Sequence, residues 1–118
     1  MHILVIEPGK HPYEKDIPNT LEAMHEVVGG YIEAVYPFPD AVLVCDEEAK
    51  LKGGNEWNRM LPEIGDVIKG TFFLCCIGSE DFTDIAPELA VKYTQRFQNI
   101  EYFVPTPDGL LPIVLNER

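Results

Sequence analysis

The sequence has few basic residues, and this scarcity limits what the protein can bind. Nine lysines and arginines stand against twenty aspartates and glutamates, which gives a formal net charge of −11. A phosphate backbone would be repelled over most of such a surface, so direct nucleic-acid binding is not expected. The same charge is compatible with a basic protein partner, which an acidic surface can contact by imitating nucleic acid.

Long apolar runs and secretion signals are also missing. The apolar residues come in runs of about five to ten, whereas a membrane-spanning helix needs roughly twenty. The first ten residues, MHILVIEPGK, have neither a basic start nor a small-residue cleavage site, so they resemble a strand rather than a signal peptide. The three cysteines lie inside apolar runs without zinc-site spacing, which favours reduced core thiols. We therefore expect a cytosolic protein without membrane contact.

The common catalytic motifs are absent as well. The chain contains no G-x-S-x-G, H-E-x-x-H, Walker or G-x-G-x-x-G sequence. The densest acidic patch runs from Glu80 to Glu88, and its Asp84 and Glu88 are expected to offset a helix dipole rather than to bind a metal. We predict no catalytic residues, no metal and no cofactor. A hydrolase or transferase is the least supported alternative, since only scattered carboxylates and histidines favour it.

Hydrophobic periodicity predicts a single α+β domain over residues 1–118. The expected architecture is a mixed β-sheet of four to six strands with two helices packed on one face. The predicted helices cover residues 19–30 and 85–98. The predicted strands lie at residues 2–6, in a hairpin over residues 31–46, at residues 66–78, and in two extended pieces over residues 100–115.

Local signals predict where these elements begin and end. Asn19 is the expected N-cap of the first helix, and Gly29 or Gly30 its left-handed stop. The strand, helix, strand order favours a right-handed crossover between the first two strands. Gly70 predicts a bulge or bend within the strand at residues 66–78, and residues 47–65 are expected to be irregular.

The segment KLKGGNEWNRM, residues 50–60, differs from the acidic chain around it. It gathers three cations and the only tryptophan around a glycine pair. Glycines let a backbone approach a ligand closely, an indole stacks on planar rings, and the cations neutralise phosphate or carboxylate. The alternative is a solvated turn whose tryptophan closes the open end of the sheet. The predicted ligand-binding residues are Lys50, Lys52, Gly53, Gly54, Asn55, Trp57, Asn58 and Arg59.

Three stretches of the chain resemble the domain of unknown function 3846 family. They are the VGGYIE turn into a strand, the EE-x-KL-x-G segment leading to N-R, and the D-x-I-x-GTFF strand. The chain departs from the usual family pattern at Asp46 and Ala49 and in the GGNEW run. The resemblance implies a small protein of Gram-positive bacteria, their phages or other mobile elements. It implies no catalytic residues.

Two functions follow as expectations. The first is a non-enzymatic protein that sequesters a small anionic, nucleotide-like ligand at residues 50–60, as a counter-defence device in a bacterial cytosol. A homo-oligomer whose loops line a shared pocket would suit this role. The second is an acidic interaction module that blocks a host protein. Under the first hypothesis, neutralising Arg59 is expected to weaken binding without unfolding the protein.

Overall fold

A six-stranded sheet forms the centre of the computed structural model, which describes residues 1–53 and 56–114. Two short hairpins and two helices surround the sheet. In chain order the elements are β1 (His2–Ile6), β2 (Tyr13–Asp16), α1 (Leu21–Val28), β3 (Ile32–Val35), β4 (Val42–Asp46), β5 (Trp57–Leu61), β6 (Asp66–Lys69), β7 (Phe72–Ile77), β8 (Phe82–Thr83), α2 (Pro87–Arg96), β9 (Glu101–Thr106) and β10 (Gly109–Val114).

The sheet has the strand order β2, β1, β7, β4, β3, and the short β8 pairs with β7. Its pairs are antiparallel, as are those of the β5–β6 and β9–β10 hairpins. The predicted α+β class, the strand number and the two helices are confirmed. The predicted crossover between the first two strands is wrong, because the antiparallel pairs β1–β7, β7–β4 and β4–β3 make β1 and β3 run in opposite directions.

The two helices cover opposite faces of the sheet. Leu4 of β1 belongs to the apolar cluster that includes Phe97 at the end of α2, whereas its neighbour Val5 packs with Met24 of α1. Successive strand residues point to opposite faces, so a strand covered on both sides needs an unbroken apolar run. The run ILVI, residues 3–6, meets that need. The expectation that both helices share one face is therefore wrong.

Helix α1 begins and ends with defined caps. The hydroxyl of Thr20 accepts a hydrogen bond from the Ala23 N–H at 3.1 Å, so Thr20 is the N-cap. Asn19, the predicted cap, instead donates its side-chain amide to the Phe82 carbonyl at 3.1 Å. At the other end, Gly29 has a φ of 83°, which confirms the left-handed stop.

Gly70 separates two strands that belong to different sheets. With a φ of +79°, it turns the chain between β6, which pairs with β5, and β7, which pairs with β1 and β4. The predicted bend is present, but the single strand over residues 66–78 is two strands. Strand β5 lies within the segment that was expected to be irregular. Strand β2 was not predicted, because its YEKD sequence is exposed and polar.

Candidate functional site

The predicted ligand segment, residues 50–60, contains three kinds of structure. A 3₁₀ turn covers Ala49–Leu51, an exposed bend follows at Gly53, and β5 begins at Trp57. Gly54 and Asn55 lie outside the described residues. The other predicted ligand-binding residues therefore lie in a turn, a bend and a strand. Their side chains are in different environments.

The two lysines of this segment already have carboxylate partners. Lys50 Nζ pairs with the Asp66 carboxylate. Burial acts to raise the pKa of Asp66, but hydrogen bonds from Lys50 and a backbone N–H lower it overall. Lys52 Nζ lies 2.8 Å from Oδ2 of Asp46, whose side chain is 1% exposed. Both positive charges are thus neutralised within the protein.

The Lys52–Asp46 pair depends on a glycine next to it. A Cβ on Gly30 would lie 2.5 Å from Lys52 Nζ and 2.6 Å from Asp46 Oδ1, distances that real side chains do not tolerate. Gly30 therefore leaves the space in which the ammonium and carboxylate meet. The sequence marked this glycine only as a helix stop.

Asn58 is a buried connector rather than an exposed hydrogen-bonding group. Its side-chain amide donates to the carbonyls of Ile6 at 2.9 Å and Gly70 at 2.8 Å. The β5–β6 pairing shifts register between Trp57 and Arg59, so both Asn58 and Arg59 are buried. Asn58 joins the end of β1 to the turn between the two sheets.

Arg59 is fully buried and binds the backbone of distant segments. Its Nη2 donates to the carbonyls of Lys10 at 2.9 Å and Phe97 at 3.0 Å, while Nη1 donates to Asn58 O and Oδ1 at 3.2 and 2.9 Å. Burial lowers the pKa of Arg59, and the nearby Glu101 charge opposes that change. In this conformation Arg59 cannot touch a ligand, and its removal is now expected to destabilise the fold.

The environment of Trp57 contains more negatively than positively charged side chains. Trp57 lines a cleft of about 490 Å³ together with Phe103, Glu56 and Glu101. The Lys69 ammonium lies 5.4 Å from the centroid of the Trp57 ring, so the indole already has a cation beside it. Among the described residues, the charged ones that line this cleft are Glu56 and Glu101, and they do not favour an anion.

A smaller cleft, of about 120 Å³, lies between β4 and the β5–β6 hairpin. Lys50 and Lys69 line it together with four carboxylate residues and Cys45. Lys69 has no carboxylate partner among the described residues, and its Nζ donates to the Lys52 carbonyl at 3.3 Å. Burial raises the pKa of Cys45 to about 12, so its thiol is protonated at neutral pH and is not a nucleophile.

The opposite end of the sheet gathers carboxylates from three parts of the chain. Strand β1 begins there, while β2 and β7 end there, because both pair antiparallel with β1. Helix α2 starts nearby, since the Ile85 N–H donates to the His2 carbonyl at 2.8 Å. We call this region the acidic end and the other, with Lys50, Lys52, Arg59 and Lys69, the lysine-bearing end. The acidic end comprises Glu14, Asp16, Glu80, Asp81, Asp84 and Glu88.

His2 lies among these carboxylates. Its Nδ1 and Nε2 are each 2.7 Å from a carboxylate oxygen, of Asp16 and Glu14 respectively, and its backbone N–H donates to Asp84 at 2.8 Å. Both ring nitrogens can donate only in the protonated imidazolium. Hydrogen bonds to Glu14 and then Asp16 accordingly raise the pKa of His2.

The positive charge nearest these carboxylates comes from His2, which contacts Glu14 and Asp16, and from Lys15, which lies between those two residues in β2. Across residues 1–53 and 56–114, none of the six forms an ion pair with a lysine or arginine. In the same ranges no three histidine, cysteine or acidic side chains converge in a way that could hold a metal ion. The sequence identified the patch at residues 80–88 but missed the β2 contribution, because that strand was not predicted.

A protein-family model matches most of this chain. The model of a domain of unknown function, DUF3846, matches residues 1–98. The chain belongs to the DUF3846 family. Both ends of the central sheet lie within the matched residues of this DUF3846 chain, whereas the β9–β10 hairpin lies beyond them. Comparisons with curated proteins and with solved structures found no match. No helix among the described residues is long and apolar enough to span a membrane.

Proposed function

We propose that this DUF3846 protein is a non-enzymatic binding protein whose acidic end contacts a basic surface on another protein. The observation that supports this most directly is the group of six carboxylates without a lysine or arginine partner in the described part of the chain. Unpaired like charges repel one another, and a cationic partner relieves that repulsion while it binds.

The lysine-bearing end offers less to a ligand. Lys50 and Lys52 are held by Asp66 and Asp46, and the Arg59 guanidinium is bound to backbone carbonyls. An anion at this end would have to compete with carboxylates that are already in contact. At the acidic end a cation would compete with the His2 ring for Glu14 and Asp16, whereas the carboxylates at residues 80–88 form no ion pair among the described residues.

The proposed partner has a basic surface of the kind that also binds nucleic acid. In the cytosol of a bacterium that carries a phage or mobile element, occupying such a surface would block a host protein. This setting comes from the family resemblance and forms part of the proposal.

An oligolysine peptide tests the charge recognition without knowledge of the natural partner. We would titrate ¹⁵N-labelled protein with decalysine and follow the amide shifts at two salt concentrations. The shifts are expected to concentrate at Glu14, Asp16 and residues 80–88, and to weaken as salt is added. Shifts centred on the lysine-bearing end would contradict the proposal.

A pair of charge-matched variants distinguishes an effect of the acidic end from an effect of the net charge. The test variant carries Glu80→Gln, Asp81→Asn, Asp84→Asn and Glu88→Gln, and the control carries Glu22→Gln, Glu26→Gln, Glu47→Gln and Glu48→Gln. All eight side chains are exposed, and each variant loses four negative charges. We expect the test variant to bind decalysine at least about tenfold more weakly than the control. Equal affinity would mean that only the overall charge matters.

The second candidate is the small anionic ligand predicted from the sequence. One observation favours it: Lys69 lines the 120 Å³ cleft beside Lys50, without a carboxylate partner in the described ranges. Thermal unfolding against a panel of linear and cyclic nucleotides tests this hypothesis, since a ligand at a hundred times its Kd adds about 2.7 kcal/mol to the free energy of unfolding. A shift that Lys69→Met removes would support it.

A further inference from the structure

Aromatic residues and carboxylates lie together in the cleft beside Trp57. Its lining includes three aromatic residues and two glutamates, namely Trp57, Tyr102, Phe103, Glu56 and Glu101. The cleft has a volume of about 490 Å³, and sites for small molecules typically measure about 300–1,000 Å³. None of these residues belongs to the acidic end, so a ligand in the cleft would leave the proposed protein contact free.

Strands β5 and β9 form the cleft. The Met60 N–H of β5 donates to Glu101 Oε1 at 3.0 Å, which holds the start of β9 against β5. Phe103 lies two positions beyond Glu101, so the two side chains point to the same face of β9. Trp57 is the first residue of β5. The residues that line the cleft are therefore positioned by the fold and need no ligand to bring them together.

The two glutamates give the cleft a negative lining. Glu56 forms no ion pair across residues 1–53 and 56–114. Glu101 lies near the Arg59 charge, but Arg59 is fully buried and its guanidinium donates to backbone carbonyls. The chain as a whole has a charge of −11, which also attracts cations. These charges favour a cationic ligand over an anionic one.

Lys69 shows that the Trp57 ring accepts a cation. The Lys69 ammonium lies 5.4 Å from the ring centroid, within the roughly 6 Å of a cation–π contact. The same ammonium donates to the Lys52 carbonyl at 3.3 Å, and Lys69 lines the 120 Å³ cleft. Lys69 is not among the described residues that line the larger cleft. It therefore approaches the indole from outside that cleft and does not occupy it.

We propose that the cleft beside Trp57 binds a small molecule with an alkylated ammonium group. Aromatic faces attract cations electrostatically, and quaternary ammonium groups are commonly recognised by such rings. A metal ion fits less well, because no three acidic, histidine or cysteine side chains converge on one among the described residues. A primary ammonium is strongly hydrated and brings three N–H donors that need acceptors. An alkylated ammonium group needs only aromatic surface and nearby negative charge, which the cleft supplies.

Trp57 is the only tryptophan of the chain, so its fluorescence reports directly on the cleft. We would titrate the whole chain with choline, at an ionic strength held constant with sodium chloride. The control ligand is the neutral carbon analogue of choline, in which a tert-butyl group replaces the trimethylammonium group. We expect a saturable fluorescence change with choline and at least about tenfold weaker binding of the analogue. No saturable change with choline would overturn the proposal, as would equal affinity for the analogue.

Two charge-matched variants test the role of the carboxylates. Glu101→Gln keeps an oxygen that accepts from the Met60 N–H but removes the charge beside the rings. Glu22→Gln removes an exposed charge from α1 that does not line the cleft. We expect the Kd for choline to rise about fivefold in Glu101→Gln and to stay unchanged in Glu22→Gln. Equal Kd values for the two variants would contradict the proposed site.

Lys69→Met distinguishes this ligand from the anionic one. Because the Lys69 charge repels a second cation at the Trp57 ring, its removal is expected to strengthen choline binding about threefold. The same variant would weaken the binding of an anion in the 120 Å³ cleft. Weaker choline binding in Lys69→Met would contradict the cationic site.

A peptide tests whether the ammonium group belongs to a small molecule. A short peptide with one trimethyl-lysine carries the same charged group as choline. We expect choline to bind at least as tightly, because the cleft has the volume of a small-molecule site. Tighter binding of the peptide would overturn the assignment to a small molecule.

Discussion

The two ends of the central sheet differ in how their charged side chains are paired. At the lysine-bearing end, Lys50 and Lys52 pair with Asp66 and Asp46, and Arg59 is enclosed by backbone carbonyls. At the acidic end, two of the six carboxylates contact the His2 ring, and none of the six pairs with a lysine or arginine among the described residues. A positively charged segment in an acidic sequence is thus used to hold the fold together. The proposed partner contact uses the other end, where no carboxylate pairs with a lysine or arginine among the described residues.

The largest expected effect is the loss of Arg59. Arg59→Met keeps much of the apolar stem but leaves the carbonyls of Lys10, Asn58 and Phe97 without a donor. We expect the free energy of unfolding to fall by about 3 kcal/mol, as measured by urea denaturation. Lys69→Met on the neighbouring strand is the control, with an expected loss below about 1 kcal/mol. Similar losses for both variants would show that Arg59 has no special structural role.

The two lysine–aspartate pairs of the lysine-bearing end should contribute differently to the free energy of unfolding. Lys52→Met leaves Asp46, with its 1% exposed side chain, without its cation, and we expect a loss of about 2 kcal/mol in the free energy of unfolding. Lys50→Met leaves Asp66, whose side chain is 44% exposed, so water replaces the lysine at a cost below about 1 kcal/mol. Chemical denaturation of both variants checks this order, and a reversed order would contradict the burial argument.

Added salt is expected to change the free energy of unfolding less than these substitutions do. Screening relieves repulsion among unpaired carboxylates, so added sodium chloride is expected to raise the free energy of unfolding of the wild type by about 1 kcal/mol. The variant with four amides at the acidic end should lose more of this salt dependence than the charge-matched control. An equal loss in the two variants would indicate a general charge effect.

The smallest expected effect is a pH dependence from His2. Its folded pKa is raised by Glu14 and Asp16, so the associated stability is fully present below the unfolded pKa of about 6.5 and is lost as pH rises through the folded pKa. Because His2 is partly exposed, we expect less than about 0.5 kcal/mol. Urea midpoints between pH 6 and 8, for wild type and His2→Gln, should converge as pH rises. A constant difference would exclude the titration of His2 as its source.

The sequence predicted the elements whose signals are local. The apolar run of β1, the hairpin at residues 31–46 and the Gly29 stop of α1 depend on residues near one another in the chain, and the structure contains them. Strand β2 was missed because an exposed edge strand with the sequence YEKD has no alternating apolar pattern. The division at Gly70 was only half predicted, since a bend does not reveal that the two strands join different sheets.

The candidate site was harder to predict, because the residue types of a segment do not show which of its side chains are buried. Arg59 and Asn58 have the residue types of a ligand contact, but a shift in strand register places both inside the protein. The acceptors of Arg59 are backbone carbonyls, which every residue has, so no side-chain motif could indicate them. The acidic end was predicted in part, where its members are adjacent in sequence at residues 80–88, and missed where long-range pairing brings β2 beside them.

The Arg59 contacts also bear on how long a folded molecule persists. Arg59 joins carbonyls that lie 49 and 38 residues away along the chain, so its hydrogen bonds require three distant segments to have met. Contacts between such distant segments are expected to form late in folding, after the rate-limiting barrier. Their loss accelerates unfolding more than it slows folding. The guanidinium first expected to contact a ligand should therefore set the lifetime of the native state.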